Sequence, residues 1–144
     1  MTDDDSEHQT DDEGIALTPE LLLGAYAAGV FPMAEGRHAE GVGWYDPPQR
    51  GILPLDALHI PARLRRTVRA RIYDVTFDRD FGTVIRACAD ARRETWINDT
   101  IIDLYEQTHR RGFAHSIEVR DAKTGDIVGG LYGIALGGAF FGES

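Results

Sequence analysis

The stretch 114-AHSIEVRDAKTGDIVGGLYGIALGGAFFG-142 decides the fold. In 115-HSIEV-119 the residues alternate, His115, Ile117 and Val119 on one face and Ser116 and Glu118 on the other, which is the period-two signature of a strand. The 121-DAKTGD-126 segment is turn chemistry that leads the chain back into 127-IVGGLYGI-134, so the two runs form an antiparallel hairpin. A second turn at Gly137-Gly138 feeds a third strand, Ala139-Phe140-Phe141. The glycines of 129-GGLYGIALGG-138 do not make a phosphate cradle, because no helix opens after them to supply its first amides; they fit a bulge or a close backbone approach. Chain ends are ordinarily polar and frayed, whereas 129-GGLYGIALGGAFFGES-144 is apolar sheet sequence. The expectation is a domain whose C-terminal part is missing from this sequence.

Upstream the period changes to that of helices. Thr18-Pro19-Glu20 reads as an N-cap, a proline at the first position and an acid in the first turn of a helix over 18–28, closed by Gly29 and Phe31-Pro32. Residues 36–54 are rich in Gly and Pro and carry Trp44-Tyr45, which predicts irregular or short-strand structure and a boundary near Pro54 to Ala57. Beyond it the pattern predicts a basic helix over 61–70, a strand over 72–77, a helix opened by Asp80 and running to about 91, and a helix over 99–111 stopped by Gly112. The fold class is α+β. Residues 1–14 form an acidic tail read as disordered, 15–55 a small N-terminal domain, and 56–144 the second domain.

Charge is unevenly placed. The net formal charge is -9, yet residues 1–13 hold seven carboxylates and no Lys or Arg, leaving 17 acidic residues against 15 Lys and Arg in the body. Fourteen of those 15 are arginine, densest in 61-PARLRRTVRAR-71. Arginine presents planar, bidentate donors suited to phosphate, so this run is either a phosphate-binding patch or a solvated helix face. The single cysteine, Cys88, lies on the apolar side of a helical pattern and reads as a buried thiol in a reducing compartment. The longest charge-free run, 21-LLLGAYAAGVFPMA-34, is too short for a spanning helix and the N-terminus is acidic, so the expectation is a cytoplasmic chain with no membrane partner. The five histidines show no pairing at ligand spacing and no CxxC is present, so no metal and no cofactor is expected.

Two candidate functional positions follow from residue type alone. Glu143 comes directly after the apolar 139-AFFG-142, where a carboxylate is either held in a partly dry pocket to bind or deprotonate an amine, or is simply solvated. Trp96, in 94-ETWIND-99, stands at a helix junction with Tyr105 further along; it either stacks an unpaired base or fills the core.

Taken in order, 26-YAAGVFPMAE-35, 44-WYDPPQRGILPLDALHI-60, 94-ETWIND-99, 114-AHSIEV-119 and 129-GGLYGIALGGAFFGES-144 resemble the leucyl/phenylalanyl-tRNA–protein transferase family over residue 17 to the end. The resemblance implies a small N-terminal domain and an acetyltransferase-related (GNAT-like) domain with a mainly antiparallel sheet. It implies transfer of Leu, Phe or Met from Leu-tRNA, Phe-tRNA or Met-tRNA to the α-amino group of proteins with N-terminal Arg or Lys, tagging them for degradation by the N-end rule. By the same resemblance Glu143 engages the acceptor's basic N-terminus, Trp96 contacts the terminal adenosine, Leu131 lines the pocket for the transferred side chain, and Tyr26 and Tyr105 lie near the site. Arg63, Arg65, Arg66 and Arg69 fall where basic residues meet the acceptor stem. This sequence departs from the family in having Met33 where some members have Trp after Phe-Pro, and in lacking the Asp-x-Gln stretch that follows further on. An RNA-binding fragment without activity is therefore the competing expectation. A small-molecule acetyltransferase is disfavoured by the missing helix-opening glycine loop.

Overall fold

The computed structural model describes residues 10, 11 and 13–144. Helix α1 spans Pro19–Ala27 and begins as its sequence dictates: Thr18 Oγ1 accepts the Leu21 N–H at 3.1 Å and Pro19 occupies the first turn. Its end is set by Gly29, whose φ of +86° lets the Gly29 and Val30 amides turn back onto the carbonyls of Tyr26 and Ala25. A two-stranded antiparallel ribbon follows, β1 (Phe31–Met33) against β2 (Gly43–Tyr45), with Pro32 opposite Trp44. The predicted boundary region carries a 3-10 turn at Leu55–Ala57, and then comes α2 (Ala62–Arg69).

The second sheet holds four antiparallel strands in the order β3 (Tyr73–Phe77), β4 (Ala114–Asp121), β5 (Ile127–Leu136), β6 (Ala139–Gly142). Helices α3 (Phe81–Asp90) and α4 (Asp99–Arg110) connect β3 to β4 and pack on one face of the sheet. The chain is thus α+β, with the small N-terminal unit preceding the sheet domain, as expected. The core is continuous between the two: Leu22, Tyr26 and Val42 belong to the same buried cluster as Ile101, Tyr105 and Ile134.

Of the acidic N-terminal segment, residues 1–9 and 12 lie outside the described residues. From Thr10 the segment is fastened to the body. Thr10 pairs with Ala16, and the buried Asp11 carboxylate accepts the Trp44 indole N–H at 2.9 Å and the amides of Ile15 at 2.7 Å and Glu13 at 3.0 Å. These bonds hold the Asp11 carboxyl below its usual range although burial alone would raise it.

The alternation in β4 resolves in an unusual sense. Ala114, Ser116 and Glu118 face the helices and are buried, while Ile117 and Val119 lie on the opposite, open face. A buried carboxylate is tolerated only when its oxygens are satisfied. Glu118 accepts from Thr76 Oγ1 at 2.5 Å, Ser116 Oγ at 2.6 Å and the Asp80 amide at 3.3 Å. Burial pushes its pKa up, and these bonds from Ser116 and Thr76 outweigh it, so the group sits below the usual carboxylate range. The arrangement also explains α3: Asp80 is its N-cap, as read from sequence, yet its side chain makes no capping bond because it pairs with Arg120, and Glu118 takes up the Asp80 N–H from across the sheet. On the open face Tyr73, Val75, Phe77 and Phe140 are exposed.

Candidate active site

Three side chains singled out from separate parts of the sequence converge on the covered face of the sheet. Tyr26 comes from the last turn of α1, Tyr105 from the middle of α4, and Glu143 from the end of β6. The Tyr26 hydroxyl donates to Glu143 Oε1, and the Tyr26 and Tyr105 hydroxyls are 2.5 Å apart. Since Tyr26 has one proton and gives it to the carboxylate, Tyr105 must be the donor to Tyr26. The result is a directed chain, Tyr105 to Tyr26 to Glu143.

Glu143 is held there by backbone as well. The ladder continues past Gly142: the Glu143 amide donates to the Tyr132 carbonyl at 2.9 Å and the Tyr132 amide to the Ser144 carbonyl at 3.0 Å. Tyr132 thus bonds to two successive residues at the irregular end of the ladder, which sets Glu143 beside it. Tyr132 is buried edge-on to Tyr105 at 5.5 Å, and its hydroxyl has no hydrogen-bond partner among the described residues.

Burial raises the pKa of Glu143, against the opposing pull of the Tyr26 hydrogen bond and the nearby Arg50 charge. Burial likewise drives Tyr26 and Tyr105 far above the ordinary phenol range, with the Glu143 charge reinforcing Tyr26. Both phenols are therefore fixed hydrogen-bond donors at any working pH, and the carboxylate is the group able to take or release a proton.

The other predicted residues fall elsewhere. Trp96 lies half-buried between α3 and α4, packed against the core, and its carbonyl accepts the Ala34 amide at 3.0 Å. Leu131 lies on the open face, one residue out of phase with Tyr132; a methyl group built on Gly142 would stand 3.5 Å from its Cδ1. Arg63, Arg65, Arg66 and Arg69 are all exposed on α2, whose side chains are solvent-facing except for a half-buried Thr67. Cys88 is half-buried in α3, with its thiol pKa pushed up by burial.

Sequence reading missed Phe31, Arg50 and Phe141. The Phe141 ring packs edge-on to Tyr26 at 5.1 Å, and the Arg50 guanidinium lies 4.7 Å from the Phe31 centroid and 5.9 Å from that of Phe141. Nothing local marks these residues; only the crossing of β1, β6 and the 46–54 loop unites them.

The N-terminal helix thus closes over a sheet-end carboxylate that one phenol touches directly and a second reaches through the first. Comparison with known sequences gives the chain its family. The sequence model described as leucyl/phenylalanyl-tRNA protein transferase matches residues 52–144, and that of the same family's N-terminal domain matches residues 16–48. Leucyl/phenylalanyl-tRNA–protein transferases from Dinoroseobacter shibae, Cereibacter sphaeroides (strain ATCC 17029) and Paramagnetospirillum magneticum are 52%, 55% and 54% identical over 128, 129 and 131 residues. The matches cover 89%, 90% and 89% of this chain and 56%, 59% and 62% of those proteins. This chain belongs to the leucyl/phenylalanyl-tRNA–protein transferase family and spans about three-fifths of the length of these relatives. Among the described residues no helix is long and apolar enough to cross a membrane.

Proposed function

We propose that the protein carrying this chain transfers Leu, Phe or Met from aminoacyl-tRNA to the α-amino group of proteins that begin with Arg or Lys, a cytoplasmic reaction that marks them for N-end-rule degradation. The observation that carries this reading is the Tyr105–Tyr26–Glu143 chain, a carboxylate of raised pKa oriented by two permanently protonated phenols. The sheet domain, residues 56–144, is assigned to a GNAT-like transferase fold, with 15–55 as the N-terminal domain.

In the reaction the acceptor amine attacks the ester carbonyl. A C–N bond forms, the bond to the ribose oxygen breaks, and the amine proton ends on that oxygen. An amine is a good nucleophile once deprotonated, so positioning and a proton acceptor supply most of the rate. Glu143 holds the cationic acceptor terminus, and Tyr26 and Tyr105 keep the carboxylate aimed. Arg63, Arg65, Arg66 and Arg69 meet the tRNA backbone, Trp96 the terminal adenosine, and Leu131 the transferred side chain. An apolar pocket separates side chains differing by a methylene by only about 1–3 kcal/mol, so Leu, Met and Phe are all accepted.

The exposed arginines of α2 give some weight to a second reading, a tRNA-binding fragment without turnover. Joining this chain to the C-terminal part of the Dinoroseobacter shibae relative, and measuring leucine transfer beside tRNA retention at rising salt, separates the two. Steep salt dependence with product supports transfer, and steep salt dependence without product refutes it.

A further inference from the structure

Arg50 is exposed, yet its guanidinium is held from several sides. Its Nη1 donates to the Gly29 carbonyl at 3.1 Å, and its Cζ lies over the rings of Phe31 at 4.7 Å and Phe141 at 5.9 Å. Phe141 in turn packs on Tyr26, the residue that donates to Glu143. Two aromatic faces, an outward carbonyl and a nearby carboxylate together make a receptor for a guanidinium or alkylammonium group. The protein fills that receptor with its own arginine. Arg50 is carried on the irregular stretch between β2 and the 3-10 turn, and residues 51–60 after it are all exposed, so withdrawing it disturbs little packing.

We propose that the Phe31–Phe141 cage beside Glu143 is the subsite for the basic side chain of an incoming acceptor terminus, and that Arg50 is its intramolecular occupant, displaced when the acceptor binds. The inference rests on the reading of Glu143 as the acceptor-binding group. It makes the 46–54 loop a competitor: ligands that carry a cation meet Arg50, and ligands with a neutral side chain do not. A cation–π contact at an exposed site is worth a factor of about two to five in binding, and two rings with a carbonyl bond place the expected effect of removing the competitor at about three- to tenfold.

The test is isothermal titration of the full chain with L-argininamide, and with L-leucinamide as the neutral control. Arg50→Ala is expected to bind argininamide about three- to tenfold more tightly than the parent, with no gain for leucinamide and with loss of argininamide binding when Glu143→Gln is added. Arg50→Gln, which keeps a donor for the Gly29 carbonyl, guards against a folding effect and is expected to behave alike. If argininamide binds no more tightly to either variant while Glu143→Gln still weakens its binding, Arg50 is not an occupant and the acceptor reading of Glu143 survives. If argininamide binds neither parent nor variants, or binds them independently of Glu143, both inferences fall.

Discussion

Gly133→Ala puts the construction of the site under direct load. Gly133 is buried in β5, where β6 crosses it, and an added Cβ would lie 2.7 Å from Phe140 Cζ and 2.9 Å from the carbonyl carbon of Phe141, against 3.4–4 Å for ordinary contact. The Phe140 ring can swing away, but the Phe141 backbone cannot, and its carbonyl oxygen stands nearest of all to the added Cβ, so β6 has to move outward by about an ångström or more. That movement strains the Gly133–Gly142 pairing and the bonds between Tyr132 and Glu143–Ser144. Overpacking costs about 1–3 kcal/mol and each weakened backbone bond about 1 kcal/mol, so the loss is about 3–5 kcal/mol, a large part of the roughly 5–15 kcal/mol that stabilises a domain. Gly129→Ala, on the same strand and face, is the control. Its Cβ would meet only Val119 Cβ at 3.7 Å, and the change is expected to stay within about 0.5 kcal/mol of neutral. Urea unfolding followed by far-UV circular dichroism measures both. Equal midpoints for the two variants would refute the close β5–β6 approach as the device that seats Glu143.

Other consequences concern charge. Glu118 has a lowered folded pKa, so its contribution to stability is complete above the unfolded value of about 4.3 and is lost as pH falls through the lower folded value; Glu118→Gln should flatten stability below pH about 4, measured by urea midpoints across pH. Glu143 has the opposite sign. Its raised folded pKa means that stability declines as pH rises from about 4.3 through the folded value, so Glu143→Gln should raise the Tm at neutral pH, and the gain should vanish in acid. For the arginines, Arg65→Ala with Arg69→Ala should weaken tRNA binding and lower its logarithmic salt slope by about 1–2, read from filter retention between low and moderate salt.

Much of the scaffold was legible because its signals are local. Thr18-Pro19, Gly29, Gly112 and the 121–126 turn punctuate the chain by mechanisms confined to a few residues, and each falls where it was expected. What escaped was set by tertiary contact. The alternation in β4 identified a strand, but nothing in it reveals that the polar half, Ser116 and Glu118, would face the helices; that follows from Thr76 and the Asp80 amide arriving to satisfy the carboxylate. Asp11 looked like one acid among seven, and its burial depends on the indole of Trp44, 33 residues away. Glu143 stands out by its place after the apolar 139-AFFG-142 and Tyr26 and Tyr105 only through resemblance, and their contacts span 79 and 117 residues. Arg50 carried no local mark at all.

The most direct test of the account is single-turnover transfer of labelled leucine from Leu-tRNA to a peptide beginning with Arg, comparing Glu143→Gln with the parent in the chain joined to the C-terminal part of a relative. The account predicts that Glu143→Gln lowers the transfer rate by about 100-fold or more while tRNA retention is unchanged. Transfer at the parental rate would contradict the assignment of the acceptor to Glu143 and, with it, the functional reading of the Tyr105–Tyr26–Glu143 chain.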